Sequence, residues 1–207
     1  LSRWYNQFLK RAFDLSVATV GTIAISPILL GIAIAIKASS PGPAFYAHRR
    51  IGKDGIYFNC YKFRSMVVDS DRRLQEYLRA NPEAAKEWEE THKLKHDPRV
   101  TKIGAFLRKT SLDELPQLFN VIRGQMSLVG PRPIVDDEVI KYDVFFSDYT
   151  MVRPGMTGLW QTSGRSDTSY SRRVRLDAWY VRNWNIWLDI SLLVKTCLLY
   201  TSPSPRD

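Results

Sequence analysis

Two adjacent carboxylates, Asp113 and Glu114, stand in the run Arg108-Lys-Thr-Ser-Leu-Asp-Glu-Leu-Pro-Gln117. Cations, hydroxyls and acids so close together suit work on phosphate. A helix N-terminus with basic neighbours binds phosphate. Two carboxylates beside it can divide labour, one as metal ligand and one as nucleophile. A plainer reading uses the same residues: Ser111-x-x-Glu114 is a capping-box pattern, and acids favour a first helical turn. That reading predicts a helix starting at Asp113-Glu114. It leaves unexplained Pro116, which restricts its predecessor within the opening turns, and the upstream Arg108 and Lys109. Spacing alone keeps both readings open.

The elements that must carry this run are mostly helical. Residues 101–123 form an amphipathic stretch around it. Phe45 to Ile51 and Ile56 to Phe63 flank Gly52-Lys-Asp-Gly55, a hairpin signature with Asp54-Gly55 as the turn. Residues 69–92 read as a charged, solvated helical insertion broken at Asn81-Pro82. Gly130-Pro-Arg-Pro133 reads as a rigid turn, and Arg153-Pro-Gly-Met-Thr-Gly158 opens a loop reaching Gly164-Arg165. Helical periodicity returns from Tyr170 to Tyr200, with Trp179, Trp184, Trp187, Leu192 and Leu193. That segment suits either a bilayer surface or an ordinary core. The fold class expected is α+β, predominantly helical with a small β-hairpin.

Residues 15–36, LSVATVGTIAISPILLGIAIAI, carry no charge and contain Ser26-Pro27 at their middle. A straight helix needs ~20 apolar residues to cross ~30 Å of hydrocarbon. Pro27 removes a donor and clashes one turn back, so it bends or breaks the helix. Each half then measures roughly 16 Å, too short to cross alone. Lys10 and Arg11 precede the segment, while Lys37, His48, Arg49, Arg50 and Lys53 follow it, and basic flanks stay cytoplasmic. We therefore expect a re-entrant helix that turns at Ser26-Pro27, with one kinked transmembrane helix as the alternative. Residues 1–14, basic and aromatic, suit an interfacial amphipathic helix. The domain expectation is 1–40 as membrane element, 41–200 as catalytic domain and 201–207 as a polar tail outside the fold.

The net charge of +9 and a pI near 9.6 call for an anionic partner. No basic recognition helix, zinc-finger spacing or RNA-binding aromatic signature is present, so lipid headgroups or phosphorylated substrates are expected rather than nucleic acid. Cys60 and Cys197 lack metal-ligand spacing and suggest a reducing compartment. His92 and His96 stand four apart without an obvious third ligand. The apolar run is too long for the core of a cleavable signal.

TSLDELPQLFNVIRGQMSLVGPRP (110–133) resembles the signature of the bacterial sugar transferases, the monotopic phosphoglycosyl transferases. The Ser26-Pro27 break, Tyr61-Lys-Phe-Arg-Ser-Met66, and Arg153-Pro-Gly-Met-Thr-Gly-Leu-Trp-Gln161 through Gly164-Arg165 agree with it in order. The C-terminal half, with Leu176-Asp-Ala-Trp-Tyr180 and Asn183-Trp-Asn-Ile-Trp187, is most similar to undecaprenyl-phosphate galactose or glucose phosphotransferases. The resemblance implies an enzyme on the cytoplasmic face of a bacterial inner membrane. Asp113 would attack the β-phosphate of a UDP-sugar, UDP-galactose or UDP-glucose, and release UMP. Undecaprenyl phosphate would then take the phosphosugar from the enzyme. Glu114 would hold Mg²⁺. Arg108 and Arg132 would contact phosphate through their guanidinium forks, and Arg165 the nucleotide-sugar. Lys62 and Arg64, on one strand face by period two, would meet phosphate or lipid headgroups. Asp136, Asp137 and Glu138 read as a solvated turn.

Larger family members carry an N-terminal membrane domain. Either this chain is the compact catalytic form or that domain was removed; the similarity of the C-terminal half favours removal, which leaves open whether a homodimer forms. Two other functions compete: a non-catalytic peripheral membrane protein that binds anionic lipid, with Asp113-Glu114 as a cap, and a hydrolase of nucleotide sugars.

Overall fold

The computed structural model describes residues 4–91, 94–163 and 169–201. Its first element, α1 (Trp4–Ser39), is the only described helix long and apolar enough to cross a membrane. Helical structure continues through Pro27, and the reason is local. Proline has no N–H for the carbonyl of Ile23 four residues back. The Ser26 hydroxyl donates to that carbonyl instead, at 2.8 Å. Apolar side chains such as Val20, Ile23, Leu30 and Ile34 remain exposed along the helix. The interfacial segment expected over 1–14 is, from Trp4 onward, continuous with it.

The hairpin forms as expected. Strands β1 (Phe45–Ile51) and β2 (Tyr57–Phe63) make a two-stranded antiparallel sheet. A 3-10 turn at Lys53–Gly55 joins them, with Asp54 at φ 57 and Gly55 at φ 74. The charged insertion becomes α2 (Ser70–Ala80) and α3 (Pro82–Thr91), separated at Asn81 as the Asn-Pro pair predicts. Next come α4 (Lys102–Thr110) and α5 (Gln117–Ile122). A second sheet was not anticipated: β3 (Ser127–Val129) pairs in parallel with β4 (Gly155–Thr157). Between those strands lie α6 (Asp136–Tyr142) and α7 (Phe146–Thr150), and the chain continues as α8 (Tyr170–Arg182) and α9 (Ile186–Thr201). The described chain is therefore predominantly helical with two small sheets.

Two compact units result. The first comprises Leu1–Ser26, Ala47–Tyr61 and Pro116–Asp207. Its core gathers Ala18, Phe58, Cys60, Val121, Met126, Val129, Tyr180 and Leu192. Buried polar groups fasten α1 into it. Lys10 Nζ lies 2.6 Å from Asp189 Oδ2, and Asp189 also accepts from the Tyr180 hydroxyl and the Trp184 indole. Asp14 accepts from the Leu128 amide at 3.1 Å. Arg11 donates to the carbonyls of Val121 and Ile122 at the end of α5, where helical carbonyls run out of i+4 donors. Trp184 and Leu192 are buried whereas Trp179 and Trp187 are exposed, so the C-terminal helices have both a core side and an open apolar side.

The second unit comprises Pro27–Tyr46 and Lys62–Leu115. Leu74 and Leu107 are buried in it. Thr101 caps α4 by accepting from the Gly104 amide at 2.9 Å. Gly104 lies against the chain at Ser65, where a Cβ would fall 1.9 Å from the Ser65 carbonyl oxygen. Only glycine permits that approach, and it places the start of α4 beside the segment following β2.

Candidate active site

The Asp113-Glu114 pair is not at the start of a helix. Ser111 ends α4 in the left-handed region, φ 57 and ψ 17, and its side chain makes no capping hydrogen bond. Asp113 and Glu114 then lie in a 3-10 turn, Leu112–Glu114. The expected capping box therefore does not form. Pro116 opens α5 at a position where a missing N–H costs nothing.

The turn carries the two acids into unlike surroundings. Asp113's side chain is 13% exposed and Glu114's 37%. Lys62, in β2, places Nζ 2.6 Å from Glu114 Oε1 and 4.0 Å from Asp113 Oδ2. Burial raises the Asp113 pKa above the ordinary carboxylate value; the Lys62 charge opposes that rise, Glu114 adds to it, and Arg108 opposes it. A partly desolvated carboxylate kept near two cations suits attack on phosphorus, since it has shed water without losing its counter-charge. Arg108 is itself oriented, its Nε donating to Ser65 Oγ at 2.9 Å.

Lys62, Arg108, Asp113 and Glu114 are thus brought together within the second unit. Arg64 is in the same unit but faces elsewhere. It is buried and donates to the carbonyls of Pro41 and Ser40 and to the Ser40 hydroxyl, at 2.7 to 2.8 Å. It follows the last residue of β2, so the shared strand face expected of Lys62 and Arg64 does not extend to it. Ser65 was not singled out in the sequence, although it stands in the quoted Tyr61–Met66 motif.

Arg132 belongs to the first unit, where its Nη1 lies 3.2 Å from Glu138 Oε1. Glu138 also accepts from the Val135 amide at 3.1 Å and faces Arg50 at 3.7 Å. The expected solvated turn at Asp136–Glu138 is instead the first turn of α6, and Glu138 braces the Gly130–Pro133 segment. Gly130 is needed there because a Cβ would meet the Arg153 carbonyl at 2.7 Å. Asp177 of α8 was also missed: it is buried, and its Oδ2 accepts from Tyr142 at 2.8 Å. Arg165 and His92 lie outside the described residues, as does the tail beyond Thr201.

Among the described residues, no group of three or more His, Cys, Asp or Glu could hold a metal. Mg²⁺ does not need one, because it is held by one or two carboxylates together with substrate phosphates and water. Glu114 fits that role, being a hard oxygen donor, partly exposed, that already draws the Lys62 ammonium to it.

The profile of the family described as "Bacterial sugar transferase" matches residues 5–202. The chain belongs to the bacterial sugar transferase family. It is 52% identical over 196 residues to the undecaprenyl-phosphate galactose phosphotransferase of Salmonella typhimurium, covering 95% of this chain and 41% of that protein. Against the exopolysaccharide production protein ExoY of Rhizobium meliloti it is 52% identical over 187 residues, 90% of this chain and 83% of that protein. Against the UDP-glucose:undecaprenyl-phosphate glucose-1-phosphate transferase of Escherichia coli it is 41% identical over 200 residues, 92% and 40%. The chain thus spans about two-fifths of the Salmonella and Escherichia relatives, and most of the Rhizobium one. The matched span includes the 110–133 segment that holds Asp113 and Glu114.

Proposed function

We propose that this chain transfers a sugar 1-phosphate from a UDP-sugar to undecaprenyl phosphate at the cytoplasmic face of the bacterial inner membrane. The observation that carries the reading is Asp113: a shielded carboxylate beside Lys62, in the signature segment of a family whose members are named for this transfer. The names of the relatives favour UDP-galactose or UDP-glucose as donor.

In the first step an Asp113 oxygen attacks the β-phosphorus of the donor. The bond from that phosphorus to the bridging oxygen breaks, and UMP leaves with the electron pair. The sugar phosphate is then held as a mixed anhydride on Asp113. In the second step an undecaprenyl phosphate oxygen attacks the same phosphorus, and Asp113 leaves as carboxylate. One transfer between two reluctant anions thereby becomes two displacements at an activated group. Lys62 and Arg108 lower the repulsion between the Asp113 carboxylate and the diphosphate. Mg²⁺, held by Glu114 and diphosphate oxygens, would supply further charge neutralisation when bound. On the family resemblance, Arg132 would contact phosphate and Arg165 the nucleotide-sugar.

The same proposal gives α1 its purpose. A re-entrant helix turning at Ser26-Pro27, with interfacial helices alongside, keeps the lipid acceptor's tail in the bilayer while its phosphate reacts. The reading that Asp113-Glu114 is merely a cap loses its support, because Ser111 makes no cap. The deciding experiment incubates the protein with UDP-sugar, Mg²⁺ and undecaprenyl phosphate and follows UMP. No release with any UDP-hexose would overturn the proposal, and release independent of the lipid would make the chain a hydrolase.

A further inference from the structure

A cleft of about 990 Å³ opens in the second unit, walled by Met66, Tyr77, Pro98, Val100 and the 94–108 segment. Arg108 lines it, so the residue whose charge acts on Asp113 also faces the cleft. Lys95 and Lys102 line it too. Among the described residues, Lys95, Lys102 and Arg108 take part in no salt bridge, whereas Arg99 deeper in the same wall is fully engaged by both oxygens of Asp97. Lys95 and Lys102 thus stand at the opening without an ion-pair partner, and Arg108, whose charge also acts on Asp97 and Asp113, adds a third cation. Met66, Pro98 and Val100, with the Tyr77 ring, contribute apolar surface to the same cleft. An apolar recess with a few convergent cations suits a ligand that is planar at one end and anionic at the other.

We propose that this cleft is the nucleotide subsite, holding the uridine and α-phosphate of the donor, with Arg108 at the junction with Asp113. This rests on the transferase reading above and names where its leaving group sits. When the β-phosphorus passes to Asp113, the departing oxygen of UMP gains negative charge. Arg108, fixed by Ser65, is then placed to balance it. A nucleotide is favoured over the lipid acceptor because every lining residue falls within 66–108 and none comes from α1. A prenyl chain would need an apolar path from that helix.

The test uses the full chain in detergent or nanodiscs with UMP as probe. The variants are Tyr77→Ala and the double charge reversal Lys95→Glu/Lys102→Glu, both lysines being exposed and so tolerant of change. UMP affinity is expected to fall about tenfold or more in calorimetric titration. KM for the UDP-sugar should rise in parallel while KM for undecaprenyl phosphate stays put. Folded variants that bind UMP as tightly as the parent would overturn the subsite, as would a rise confined to the lipid KM. UMP release by the unaltered chain reports the transferase reading separately, so the two can fail independently.

Discussion

Lys62 and Glu114, fifty-two positions apart in sequence, meet at 2.6 Å, and the same ammonium stands 4.0 Å from Asp113. The lysine thus sides with the more exposed acid and leaves the more buried one with a looser counter-charge. That asymmetry separates two side chains that are neighbours in the chain. In a 3-10 turn they point about 120° apart, so one phosphorus cannot meet both equally.

Replacing Lys62 with Met should therefore leave the fold intact and slow the first displacement. Its ammonium is partly exposed, so stability should change little. The rate of UMP release should fall by about 10²- to 10³-fold, the usual cost of removing one charge-stabilising donor. A variant with parental turnover would take Lys62 out of the reaction.

The division of labour between the acids makes a sharper prediction. Protein given UDP-sugar and Mg²⁺ without lipid should gain the mass of a phosphosugar, and peptide mapping should find it on Asp113. Asp113→Asn should lose both adduct and product. Glu114→Gln should keep its fold and lose most turnover, and chelation should stop UMP release until Mg²⁺ is restored. An adduct on Glu114 would reverse the two roles, and undiminished activity in excess chelator would remove the metal.

Gly104 predicts a structural coupling. Alanine there would place a methyl 1.9 Å from the Ser65 carbonyl oxygen, and backbone cannot yield as a side chain does. The segment at Ser65 and α4 must separate, which also removes the Ser65 hydroxyl from Arg108. Gly104→Ala should lower the thermal midpoint and cut turnover together. Ser65→Ala, which leaves the backbone contact alone, should cut turnover with little effect on the midpoint.

These couplings mark what the sequence could and could not convey. The hairpin was legible because Asp54-Gly55 is a local turn signal between two strand-like runs. The break at Asn81-Pro82 was legible because proline acts on its own neighbours. Ser111 left the capping reading open because Ser-x-x-Glu fits a helix start, and nothing local reports that α4 is ending there in a left-handed residue. Strands β3 and β4 are three residues each, too short for period two to register, and they pair across twenty-eight positions between Ser127 and Gly155. Glu138 looked like one acid in a solvated cluster, because the contact with Arg50 depends on folding. Arg64 looked available for phosphate because its engagement with Ser40 and Pro41 cannot be seen in the chain.

Asp177 sets a pH dependence on stability. Burial pushes its carboxyl up to about 7, against a pull downward from the Tyr142 hydrogen bond and Arg132. A carboxyl raised on folding favours the folded state most fully below its unfolded value, near 3.8, and that advantage is lost as pH rises through about 7. Asp177→Asn mimics the neutral form at every pH. The difference in unfolding midpoint between variant and parent should therefore move in the variant's favour across this window and level off above it. A difference that stays flat from pH 4 to 8 would mean that Asp177 folds as a carboxylate throughout.

The last prediction concerns how α1 meets the bilayer. Ser26 donates to the Ile23 carbonyl that Pro27 deprives of its helical partner, so the two residues act as a pair: proline removes a donor and serine supplies one, which a backbone in hydrocarbon would require. Pro27→Ala restores the missing donor and removes the clash, so the helix loses the one residue that disfavours a straight crossing. A cysteine introduced near position 5, with Cys60 and Cys197 replaced, should resist an impermeant thiol reagent in intact cells when Ser26-Pro27 is present and become labelled in part when Pro27 is alanine. Ser26→Ala alone should leave position 5 protected and lower stability, because the Ile23 carbonyl loses the hydroxyl that pairs it. Labelling at position 5 with Ser26-Pro27 intact would mean that the helix already spans, and the re-entrant arrangement would be abandoned.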